Sequence, residues 1–90
     1  MRKVWKYPLK MENGRQEVMI PQGGKVVHID NQNHSPTLWV EVNSMESEES
    51  RTFCVIGTGQ GVPTYWDYVG TCLIPPFVWH VYEWKGYDDE

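Results

Sequence analysis

Period-two alternation recurs along this chain in short runs, and Gly, Pro or Asn soon ends each one. In residues 37–42, Leu38, Val40 and Val42 fall on one face of an extended chain, and Trp39 and Glu41 on the other. Residues 77–84 alternate in the same way, with Phe77, Trp79 and Val81 together on a face that reads as core. Residues 25–30 put Val27 and Ile29 on one face and Val26, His28 and Asp30 on the other. Good helix formers are rare. Ala is absent and Leu occurs three times, so the apolar set is β-branched and aromatic.

Four more runs read as strands: residues 2–7, stopped by Pro8, and residues 17–20, 51–56 and 68–74. Asn13-Gly14 predicts a hairpin or tight return between residues 9–11 and 17–20. Residues 21–24, residues 31–36 and Pro75-Pro76 read as turns. Residues 43–50 are polar and acidic without a period, so they read as a loop in which Glu46, Glu48 and Glu49 are solvated. Pro63 suits the first position of one short helical turn over residues 63–67. The spacing predicts an all-β fold, a small antiparallel sandwich or partly open barrel of about six to seven short strands. Ninety residues make a single domain, 1–90, with a thin core filled by aromatic rings. Residues 86–90 form an acidic tail that is expected to fray.

The formal charge of −4 is unevenly placed. Residues 1–25 carry six basic against two acidic side chains, and residues 26–90 carry two against ten. Lysines near the start suit a solvated edge strand, and the asymmetry also suits steering toward a charged partner. The acidic balance speaks against duplex nucleic acid as a partner, which needs a basic footprint. No run approaches membrane-spanning length, and no apolar leader segment follows Met1. The expectation is therefore a cytoplasmic protein with Cys54 and Cys72 reduced. The two Cys and three His have no metal-ligand spacing, so neither a metal nor a cofactor is expected.

The segment from Val55 to Tyr68 carries the candidate site. A β-branched run opens into Gly57-Thr58-Gly59-Gln60-Gly61 and is followed by Tyr65, Trp66 and Tyr68. Glycine permits positive φ and close backbone approach, and the aromatics offer stackable faces. The loop lacks the Lys-Ser/Thr of a P-loop, and its third glycine comes one position early for a dinucleotide fingerprint. What remains is a nest of backbone N–H groups suited to an anion, with Thr58 and Gln60 as further donors. The plainer reading is a bulge or wide turn that needs glycine for geometry alone. Trp39, opposite the Leu38/Val40 face, joins the candidates as an exposed contact, as does Trp84. His80 sits mid-strand among aromatics, where a buried, hydrogen-bonded imidazole is the expectation. His28 and Asp30 are spaced for one strand face. No nucleophile, base and orienting group stand out together, so no enzyme is expected.

Four motifs occur in order: the opening Val4-Trp5-Lys6-Tyr7-Pro8-Leu9, then Val55-Ile56-Gly57-Thr58-Gly59, Tyr68-Val69-Gly70-Thr71 and Val78-Trp79-His80-Val81-Tyr82-Glu83. Together they resemble a family of very small bacteriophage proteins with a K-Y-P-L opening, an I-x-G-T-G loop and a V-W-H-V-F-E-like last strand. Many members have His after G-T-G, where this chain has Gln60. The resemblance implies an accessory role in an infected bacterial host. The reading is a non-enzymatic stoichiometric antagonist of a host defence protein. The alternatives are sequestration of a small nucleotide-like signal by the Gly-rich loop and a role in virion assembly. A small aromatic-rich chain with an exposed edge strand also predicts a homodimer or higher homo-oligomer.

Overall fold

Each sheet has one apolar face, and burying it forces the chain into two layers, because a sheet with a single apolar face needs a second surface to cover it. The computed structural model describes residues 1–12 and 14–86, and its strands are β1 (Arg2–Pro8), β2 (Arg15–Pro21), β3 (Lys25–Gln32), β4 (Ser35–Asn43), β5 (Glu48–Gly57), β6 (Trp66–Ile74) and β7 (Phe77–Trp84). Three strands pair in the order β1-β4-β3 and four in the order β2-β5-β7-β6, all antiparallel. The thinnest extent is 17 Å, as expected of two sheets stacked about 10 Å apart. The all-β expectation holds, and the chain is a sandwich open at its edges.

Leu38, Val40 and Val42 of β4 line the inner face of the three-stranded sheet. Ile20, Phe53, Val55 and Val81 face them from the other layer, and Leu9 closes the cluster. Six of these, Phe53, Ile20, Leu38, Val40, Val42 and Val81, are fully buried. Full burial of one such side chain contributes about 1.5–3 kcal/mol. The sheets approach most closely where β3 packs on β6. There a Cβ on Gly70 would lie 2.3 Å from Ile29 Cγ2, so only glycine admits the contact. Arg51 of β5 makes a bidentate pair with Glu83 of β7, at 2.6 Å from Nε and 2.8 Å from Nη2. Its Nη1 donates to the Gly24 carbonyl, which ties the β2–β3 turn to the sheet.

Several local expectations change. Asn13 lies outside the described residues, but Gly14 takes φ 97° between strands of different sheets. The turn therefore crosses layers and closes no hairpin. Val27 is a bulge residue: the register shifts between Val26 and His28, so Val26 and Ile29 oppose Val40 and Leu38 while Val27 is 49 % exposed. The acidic run is only partly loop, since Glu48, Glu49 and Ser50 pair with Pro21, Ile20 and Met19. Residues 63–67 form no helical turn. Tyr65 has φ 66°, which a right-handed helix excludes, and Trp66 already begins β6. Phe77 shares the inner side of β7 but sits at the strand's start, 61 % exposed, with its ring edge-on to Trp79.

Candidate functional site

The outer face of the four-stranded sheet collects side chains by register. Arg15, Cys54, Tyr82 and Tyr68 lie across the four strands in one row. Trp84 and Trp66 pair on one side of that row; Ile56, His80 and Thr71 lie on the other. Leu73 opposite Val78 completes the face toward the β6–β7 turn. Tyr68 and Leu73 are 59 % and 58 % exposed, and Val78 is 37 %.

The glycine loop rises from the end of β5 over this face. The Gly57 N–H donates to Gln60 Oε1 at 2.5 Å, and the Gln60 N–H donates to the Gly57 carbonyl at 3.1 Å. Gln60 therefore braces the loop from within. Gly59 has φ 94°, and a Cβ there would meet nothing within 4 Å. Backbone conformation, rather than a close neighbour, is the reason for glycine at that position. The loop separates two concavities. One, of ≈ 350 Å³, is lined by Gly14, Arg15, Cys54, Val55, Ile56, Gln60, Gly61, Pro63 and Trp66. The other, of ≈ 220 Å³, is lined by residues 56–60 with Val62, His80 and Tyr82.

His80 is held at both ring nitrogens. Nε2 lies 2.9 Å from Thr58 Oγ1, and Nδ1 lies 3.0 Å from Thr71 Oγ1. Thr71 Oγ1 is 2.6 Å from the Tyr68 hydroxyl, and Thr58 Oγ1 is 3.4 Å from the Val78 carbonyl. A carbonyl only accepts. When Thr58 donates to it, His80 donates from Nε2, and Nδ1 accepts from Thr71, which accepts from Tyr68. In that direction His80 is no base toward Thr58. Thr58, His80 and Thr71 have the spacing of a nucleophile, base and orienting group, but a neutral hydroxyl cannot balance an imidazolium as a carboxylate does. The chain's physical effect is to pin the loop to β6 and β7.

Arg15 reaches over the sheet to the two indoles. Its guanidinium carbon lies 5.5 Å from the Trp66 ring centroid and 5.6 Å from that of Trp84, within cation–π range. Burial pushes the Cys54 thiol up, while a backbone hydrogen bond at Tyr82 and the charge of Arg15 act against it. A protonated thiol and Ile56 thus form a neutral floor beside one cation.

One family model matches residues 1–89, nearly the entire chain. The chain belongs to the family described as a domain of unknown function, DUF7352. No curated protein and no solved structure matches it.

In this DUF7352 chain the fold brings together most of the residues singled out in the sequence. Gly57, Thr58, Gly59, Gln60, Gly61, Trp66 and Tyr68 meet on one face, and Tyr65 sits at the loop's exit, its carbonyl accepting from the Lys85 N–H at 3.1 Å. Trp39 is not among them. It lies on the outer face of the other sheet, between Lys6 and His28, with its ring 5.5 Å from the His28 imidazole. His28 and Asp30 do pair there, at 3.4 Å. Arg15, Thr71 and Tyr82 were not foreseen. Arg15 stands 51 residues before Trp66 in sequence, on the opposite edge strand of the same sheet, and reaches its ring across the face of β5 and β7. Thr71 meets His80 only because a bulge between Tyr68 and Gly70 shifts the register.

Proposed function

We propose that this chain is a non-enzymatic binding protein that holds a partner protein, in a stoichiometric complex, on the outer face of its four-stranded sheet. The observation that carries this reading is the exposure of Tyr68, Leu73 and Val78 together on β6 and β7. A solvated sheet face ordinarily presents polar side chains. This one presents a phenol and two aliphatic groups beside Trp66 and Tyr82, with Val62 of the loop also exposed. Aromatic and aliphatic anchors of this kind supply most of the energy in protein interfaces. The His80 chain fixes the phenol and the loop before any partner arrives, which lowers the ordering cost of association.

The class of partner follows from the resemblance to small phage proteins: a host defence protein, met in the cytoplasm of an infected bacterium. Tagged chain recovered from host lysate, with proteins and small molecules both identified, supplies the complex to be tested. Leu73→Asp and Tyr68→Ala are each expected to weaken it tenfold or more, about 1.4 kcal/mol. Glu46→Ala, in the β4–β5 turn, is expected to leave it unchanged. A complex that survives both changes in folded protein, or a small molecule recovered in place of a protein, overturns the reading.

A further inference from the structure

We infer that the outer face of the three-stranded sheet binds single-stranded nucleic acid. The two layers of the sandwich carry charge of opposite sign. Strands β1, β3 and β4 hold four basic and two acidic side chains, and β2, β5, β6 and β7 hold two basic and five acidic ones. A net charge of −4 therefore hides a positive layer, and such polarity turns that layer toward an anionic partner. Both carboxylates of the positive layer already have partners: Glu41 pairs with Arg2, and Asp30 lies 3.4 Å from the His28 imidazole. Lys6 and Lys25 are exposed and pair with no carboxylate among the described residues.

Register places an aromatic ring between these two cations. Lys6, Trp39 and His28 lie in one row across β1, β4 and β3, and Val4, Glu41 and Lys25 form the next. Neighbouring strands are about 4.8 Å apart and successive rows on one face about 7 Å, so Lys6 and Lys25 flank Trp39 from opposite sides. Leu38 and Val40 are fully buried on the other face of β4, which turns Trp39 outward. Its indole is half-buried, and the His28 ring meets it at 51° rather than flat, so part of the indole stays open to solvent. A base of any identity stacks on an open indole, while cations beside it hold the backbone phosphates. A duplex keeps its bases stacked inside and offers this ring nothing, and its second strand brings more negative charge to an acidic chain. An acidic peptide satisfies the lysines but has no flat ring for Trp39. A single strand supplies both.

Fluorescence anisotropy of a short labelled oligothymidylate tests this, with duplex DNA of the same length and polyglutamate as competitors. Saturable binding is expected at about 50 mM salt, weakening as salt is raised. Two phosphates neutralised on a single strand give a slope of about −1.4 for log affinity against log salt concentration. Lys6→Gln is expected to bring that slope to about −0.7, through the loss of one phosphate contact. Trp39→Ala is expected to weaken binding about fivefold or more at unchanged slope. Lys6→Glu combined with Lys25→Glu changes two exposed positions and is expected to abolish binding in folded protein. Leu73→Asp, on the other sheet, is expected to leave binding unchanged, so this face and the protein-binding face stand or fall separately. Absence of saturable binding at low salt contradicts the inference. So does displacement by duplex or by polyglutamate as readily as by unlabelled strand, or parental affinity in folded Trp39→Ala or in the folded double variant.

Discussion

Alanine substitution separates three glycines that a sequence treats alike. Gly59 needs φ 94° in open space, Gly61 needs neither positive φ nor clearance, and Gly70 needs the room that Ile29 fills. Gly59→Ala is expected to cost about 1–2 kcal/mol from the left-handed backbone alone. Gly70→Ala is expected to cost about 1–3 kcal/mol from overpacking, with local shifts of β3. Gly61→Ala is expected to be neutral or to stabilise by up to about 1 kcal/mol, because it narrows the unfolded ensemble. Urea denaturation measures all three, and equal losses at Gly59 and Gly61 would contradict this account of the loop. The glycine run was legible as a turn, but which glycine meets which demand depends on φ and on Ile29, neither written locally. The thiols make a second test at this scale. Cys54 and Cys72 are free and buried, on opposite faces of strands separated by β7, and burial raises both pKa values. A folded thiol with a raised pKa holds its proton more tightly than the unfolded chain does. The stability it contributes is complete below the ordinary thiol value of about 8.5 and falls as pH climbs past that value. Tm is expected to decline above that pH, and Cys54→Ala is expected to flatten the decline; an unchanged slope would count against the cause given.

Elements depend on partners that lie far away in sequence. Arg51 shows this on β5: its bidentate pair with Glu83 of β7 is largely shielded, with 17 % and 22 % of the side chains exposed. Arg51→Met removes the cation and leaves a shielded carboxylate, for an expected loss of about 1–3 kcal/mol once the remaining solvent access is discounted. Arg51→Met combined with Glu83→Leu is expected to recover much of that loss in the same denaturation assay; a double variant no better than the single one would show that the guanidinium acts mainly through Gly24. The outlines of β4 and β7 were legible because their alternation is unbroken. The faces of β3 were not, because the bulge at Val27 inserts a residue that only pairing reveals. The start of β5 was hidden for a different reason: Glu48 and Glu49 carry no strand signal of their own and are held extended by Ile20 and Pro21 across the sheet.

At the scale of the whole molecule, strand number and class could be read from pattern, while the division into two sheets could not. Asn13-Gly14 has the composition of a hairpin turn, yet β1 pairs with β4 and β2 with β5, an outcome set by which faces bury together rather than by the turn. Four strands are left at sheet edges: β1, β3, β2 and β6. Lysines guard β1, whereas β6 carries exposed Tyr68 and Leu73. We therefore expect a homodimer in solution, and light scattering at micromolar concentration is expected to return twice the mass of one chain; a single-chain mass would overturn it. The central claim concerns one surface, and hydrogen–deuterium exchange on the partner complex tests it most directly. The account predicts slowed exchange in residues 57–63 and 66–74 on complex formation, with β1, β3 and β4 unchanged. Protection confined to the three-stranded sheet, around Trp39 and His28, would contradict it.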